Sequence, residues 1–209
     1  MKSTKKTTFQ FDAKKIPVFY EGNLDILKEY PVIGVLASGK APGPVVWESY
    51  EIFYALRDEV ITLAGAWHSP LEKGILDSLV EGSANVAFFL AKGLKSSGFK
   101  QRFRVFNKAS RGLMITPFSA DVTKIRGTEA TRLRNEILAA TSDVLFIPYI
   151  RPKGKLFKMI NGDETFLRKT FLLSRPENAD CSLNAQRIES NHASVLIRAS
   201  QEAHQRKIS

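Results

Sequence analysis

Lys40, Arg126 and Arg134 are the side chains from which chemistry is most directly read. A guanidinium can hold a phosphate with two parallel hydrogen bonds, and an ammonium adds a mobile positive charge. Lys40 lies in SGKAPG, residues 38–43, after an apolar run. Gly39 there lets the backbone approach a ligand, and successive amides from Ser38 onward can form an anion-binding nest. The alternative is a glycine-proline turn leading into a helix. SGKAPG matches neither GxGxxG nor GxxxxGK[ST], which argues against nicotinamide dinucleotide and ordinary ATPase chemistry. Arg126 stands in a basic loop before a helical segment that carries Arg132, Arg134 and Asn135. Arg134 sits beside the apolar face of that segment, where its stem can pack while its guanidinium reaches a crevice. Asn135 is read as a hydrogen bonder that anchors a loop. A helix-surface salt bridge to Glu129 or Glu136 is the structural alternative for the arginines.

AGAWHSPLEKG, residues 64–74, is the second candidate. Gly65 permits a sharp exit from a strand, which places His68 and Ser69 near the ligand-facing edge. Ser69, or the free amides beyond Pro70, can take a phosphate at a helix start. Glu72 suits the helix dipole in the first turn and competes with an anionic ligand. For His68 a structural hydrogen bond, phosphate binding and acid/base work all stay open. Trp67 and Phe118 can stack on bases or belong to the core. His68, Ser69 and Glu72 supply residue types for phosphate-ester or N-glycosidic chemistry. Paired carboxylates, a nucleophile motif and metal-ligand spacing are all absent from the sequence. No catalytic residue, metal or cofactor is therefore expected.

These residues need elements to hold them. VIGVLA, VITLAG, NVAFFLA, LMITPF, DVLFIPY and KTFLLS read as six strands, several apolar along their whole length, as in sheets covered on both faces. Between them, residues 44–56, the segment opened by Pro70 (Leu71, Ile75 and Leu79 four apart) and residues 128–141 read as helices. Thr128 is the expected cap of the last. A short helix at residues 99–103 and an extra strand at 104–106 are predicted in the basic connection. The alternation predicts a doubly wound, mostly parallel α/β sheet in a single domain. Residues 1–23 read as a basic arm or edge element, 24–174 as the domain, and 175–209 as a less regular extension that frays from residue 201. With strand order 3-2-1-4-5-6, the crevice lies beyond strands one and four, and residues 38–43 face residues 119–128.

The chain has 209 residues, 44% of them hydrophobic, enough for one α/β core, and a formal charge of +10 that favours polyanionic partners. Its single cysteine, Cys181, excludes an internal disulfide. With no apolar run long enough to cross a bilayer and no signal core, a cytoplasmic protein without a membrane partner is expected. An edge strand or outer helix is expected to make a homodimer.

HSPLEKGIL, NVAFFLAKGL, LMITPF and TEATRLRNEILAATSDVLFI, in this order and spacing, resemble the Rossmann-like central domain of the DNA-processing protein A (Smf) family. The likeness covers about residues 30–150 and continues more weakly to residue 174. It implies a Rossmann-like domain that binds single-stranded DNA and helps load a recombinase during natural transformation. Arg134 would then contact phosphate, Asn135 would play the adjoining structural role, and Lys40 would stand where members often carry arginine. The sequence departs from the pattern at Ala64–Gly65 and around Ser69, Pro70 and Leu71. The wider superfamily includes sensors of small nucleotides, which supply the alternative ligand. It also includes cytokinin-activating phosphoribohydrolases, whose glycine-rich loop has no counterpart here.

Overall fold

The structure is a computed structural model and describes residues 4–11, 14–120, 122–123, 128–179 and 181–209. In chain order the elements begin with β1 Lys5–Phe11, β2 Lys14–Gly22, β3 Val32–Val35, α1 Gly43–Leu56, β4 Thr62–Gly65 and α2 Pro70–Ser78. They continue with β5 Asn85–Phe89, α3 Lys100–Lys108, β6 Gly112–Thr116, α4 Glu129–Thr141 and β7 Val144–Ile147. The chain finishes with α5 Lys155–Asn161, α6 Glu164–Arg168, β8 Thr170–Leu173, β9 Gln186–Ile188 and α7 Ala193–Ile208. The strands form one sheet in the order β1-β2-β6-β5-β4-β3-β7-β8-β9. Pairing is parallel from β6 through β9 and antiparallel at β1–β2 and β2–β6. This is a Rossmann-like, mostly parallel sheet with helices on both faces and a less regular C-terminal helical extension.

Alternation along the central strands builds two cores. From β3, Ile33 and Val35 point into a core shared with α1, α2, α3 and α7, while Val32 and Leu36 enter a second core with α4, α5 and α6. Gly34 between them is required by close approach: a Cβ there would lie 2.3 Å from Ser142 Oγ and 2.7 Å from Leu145 Cδ2. No helix among the described residues is long and apolar enough to cross a membrane.

The strand order differs from 3-2-1-4-5-6. In that numbering the six parallel strands run 4-3-2-1-5-6, because β6 pairs with β5 and with β2 of the N-terminal hairpin. Helix α4 then carries the chain across to β7, on the other side of β3. The switch in direction therefore falls between β3 and β7, and residues 38–43 face the loop after β7. Ser38 N–H donates to Tyr149 O at 2.9 Å, and Arg151 N–H donates to Ser38 Oγ at 3.0 Å.

Three local expectations are also revised. Residues 104–106 are helical, part of α3, because Phe103 and Phe106 sit three apart and are buried on one face. Thr128 precedes α4 without a side-chain capping bond. Residues 201–208 continue α7 instead of fraying. Their anchor is buried Asp143, whose carboxylate accepts Val32 N–H at 2.8 Å and lies 3.3 Å from His204 Nδ1 and 3.4 Å from Lys207 Nζ.

Candidate phosphate-binding rim

Strands β7, β3, β4 and β5 lie side by side and end at one edge, spanning roughly 15 Å at about 4.8 Å per strand. Each is followed by cations: Arg151 after β7, Lys40 after β3, Lys73 in the first turns of α2 beyond β4, and Lys92 after β5. Lys40, Lys73 and Arg151 are exposed, and Lys92 is half-buried. Gly39 is exposed beside Arg151, whose Nη2 would lie 3.9 Å from an added Cβ.

Arg134 reaches the same edge from α4, and its environment is unusual. Only 6% of its surface is exposed. Its Nε donates to Asn135 Oδ1 at 2.7 Å, so Asn135 orients the guanidinium instead of anchoring a loop. Its Nη1 is buried without any hydrogen-bond partner, the one such side-chain nitrogen or oxygen among the described residues. Burial pushes the guanidinium down to about 10, opposed by the nearby Glu72 carboxylate. The group stays charged at neutral pH. A buried, charged, unpaired donor is costly, and an arriving anionic oxygen relieves that cost.

Glu72 does not neutralise this charge by pairing. One of its carboxylate oxygens accepts Ser69 N–H at 2.8 Å and His68 N–H at 3.2 Å, while Ser69 Oγ accepts Glu72 N–H at 3.1 Å. This reciprocal capping box defines the start of α2. It occupies Ser69 Oγ and the amides of Ser69 and Glu72, so the anion site expected there is already filled by Glu72. It also commits Ser69 and Glu72 to capping, not to a relay with His68.

His68 stands at the centre of the cations. Its ring lies 5.2 Å from Phe99, centroid to centroid. Its pKa falls from 6.5 to about 4, through desolvation first and then Arg134, Lys92 and Lys73. The residue is solvent-exposed, which limits desolvation, yet all three cations push in the same direction. His68 is therefore neutral at pH 7. Because the unfolded chain protonates more readily, its stabilising contribution is complete above pH 6.5 and is lost as pH falls toward 4. Proton NMR of the imidazole should give a midpoint far below 6.5; a midpoint at or above 6.5 would show that the cations do not face the ring.

The remaining candidates separate. Trp67 is fully buried, its Nε1 donates to Ala87 O at 3.0 Å, and its ring packs edge-on against Phe88. No face is left for a base. Gly65 is buried, and a Cβ added there would lie 2.7 Å from Trp67 Cε2, so its role is to admit the indole. Phe118 is half-buried and follows β6, where Thr116 Oγ1 donates to Lys92 O at 2.9 Å. That bond brings the Phe118 loop beside the Lys92 loop. Arg132 takes the surface salt-bridge alternative, paired with Glu129 and Glu136. Arg126 lies outside the described residues. Among the described residues no group of three or more His, Cys, Asp or Glu could hold a metal ion.

Lys73, Lys92 and Arg151 are not among the phosphate-binding candidates of the sequence. Their available signal was position: each lies within a few residues of a strand's C-terminal end, or in the helix start that follows it.

No protein-family model and no curated protein matches the chain. Solved structures do. DNA processing protein A from Streptococcus pneumoniae superposes with a TM-score of 0.71 at 13% identity, over 86% of this chain and 65% of that one. The chain thus spans just under two thirds of that protein. DNA processing protein A from Helicobacter pylori, described for its single-stranded DNA binding mode, gives 0.65 at 12% identity over 98% and 96%. The Moco carrier protein from Chlamydomonas reinhardtii gives 0.55 at 16% over 83% and 98%. At these identities the shared property is the fold.

Proposed function

We propose that this chain binds single-stranded DNA through its phosphates, along the rim formed by the C-terminal ends of β7, β3, β4 and β5. The observation that carries the reading is Arg134: buried, charged, oriented by Asn135, and with Nη1 unpartnered. A backbone phosphate supplies the missing acceptor. Lys73, Lys92, Lys40 and Arg151 extend positive charge to either side of it. His68 and Lys73 are exposed, so the cluster opens onto solvent, which suits an extended polyanion better than an enclosed small nucleotide. The structural likeness to the single-stranded DNA-binding protein from H. pylori points the same way. Phosphate contacts position a strand without reading its sequence, and Phe118 is the side chain placed to add stacking.

Anisotropy of labelled oligonucleotides across a salt series tests this. With three to five phosphate contacts, log affinity should fall with log salt at a slope of roughly −2 to −3.5, alike for unrelated sequences. Absence of binding at low salt, with mononucleotides binding instead, would replace the strand by a small nucleotide.

A further inference from the structure

The opposite end of the sheet carries a second concentration of charge that the rim does not use. Helix α7 packs on β7 and β3, and a cleft of about 450 Å³ opens between it and the starts of β7 and β8. Its volume is that of a small-molecule site. Arg198, Glu202 and Arg206 are spaced by four along α7 and all border the cleft. Arg168 and Lys169, just before β8, border it from the other side. Phe171 and Val195 add apolar surface.

The cations outnumber the acids that could neutralise them. Asp143 also borders the cleft, but its carboxylate is engaged with Val32 N–H, His204 and Lys207. Arg168 is paired with Glu164. The side chains of Arg198 and Arg206 have neither a hydrogen bond nor an ion pair among the described residues, although Glu202 lies between them. Lys169 Nζ donates to Ser142 O at 2.8 Å. Two guanidiniums without partners, an adjacent amine and apolar walls are the fittings for a phosphate attached to an apolar body.

We propose that the cleft between α7 and the start of β8 is a separate binding site for a small phosphate ester, its phosphate held by Arg198 and Arg206 with the Lys169 amine beside it. The site lies at the N-terminal ends of the strands and is independent of the DNA-binding rim. The Lys169 amine supports the reading: burial and then Lys207 push it down to about 8, against the opposing pull of Asp143 and Asp163. A phosphate beside it favours the ammonium form, so binding takes up a proton at pH 8.

The test uses the full chain and two aldehyde probes, pyridoxal 5′-phosphate and phosphate-free pyridoxal. The Lys169 amine condenses with the aldehyde, releasing water, and borohydride supplies the hydride that fixes the adduct for peptide mapping. A reactive amine alone would take up both probes equally, so the preference for the phosphorylated one reports the anion site. Lys169 should be modified at least tenfold faster by the phosphorylated probe and be protected by inorganic pyrophosphate. The exposed Lys28 and Lys108 provide the baseline. In R198Q/R206Q, altered only at exposed positions, the preference should fall to that baseline. Lys169 left unmodified, the same probe preference at Lys169 as at Lys108, or a preference that survives R198Q/R206Q, would overturn the proposal.

Discussion

Replacing Arg134 with methionine should weaken oligonucleotide binding roughly ten- to hundredfold, the worth of one charge-assisted hydrogen bond. The same change should leave the fold as stable as before, or more stable by up to roughly 2 kcal/mol. The two effects part because the guanidinium is buried with Nη1 unpaired, a cost in the free protein that methionine removes. Glu72 keeps both backbone donors in the variant, so no carboxylate is left bare. The loss should be alike for thymine-, cytosine- and adenine-only strands, because phosphate carries no sequence. Urea unfolding alongside anisotropy reads both quantities. A variant destabilised by several kcal/mol with unchanged affinity would make Arg134 a structural residue.

Trp67→Ala should have the largest effect on stability, about 3–5 kcal/mol for a buried tryptophan. The indole fills the core between β4 and β5, its N–H is bonded to Ala87, and its backbone is held at φ 56°, where a bulky residue does not settle unaided. Losing it also frees the segment that carries His68 and Ser69, so DNA affinity should fall with stability. In a Trp47→Phe background the remaining Trp67 emission should be insensitive both to acrylamide and to oligonucleotide. Strong quenching by the strand would mean that the ring leaves the core and stacks on bases.

The apolar runs made the sheet legible, because strands buried on both faces need side chains such as those of VIGVLA and NVAFFLA. The start of α2 was legible too, since Ser69, Pro70 and Glu72 are a helix-start signature before their bonds are seen. Arg134 could be picked out beside the apolar face of its helix. Its unpaired Nη1 could not, because that depends on Asn135 turning toward it and on Glu72 being engaged elsewhere. Strand order was hidden because the neighbour of β6 is the N-terminal hairpin, whose lysine-rich sequence with Pro17 reads as an arm. Pro17 is accommodated because it pairs only with Thr8 of β1, while β6 meets residues 19–22. That one pairing moved the switch point to β3 and β7, and with it the partner of the Ser38 loop. The two readings of Trp67 could not be separated in sequence for a geometric reason: Gly65 and a positive φ at Trp67 turn inward a side chain that the strand end would otherwise present to ligand.

The charge on His68 offers the most direct view of where a strand lies. Its imidazole is held neutral by desolvation first and then by Arg134, Lys92 and Lys73, so a phosphate placed among those cations raises its pKa. By linkage, affinity then rises as pH falls through the bound-state midpoint toward 4. The measurement is the NMR titration of His68 in the free protein and in the protein saturated with a short oligothymidylate. The expected result is a midpoint near 4 when free and well above that when bound. A midpoint that stays where it was while the oligonucleotide is bound would place the DNA elsewhere on the molecule.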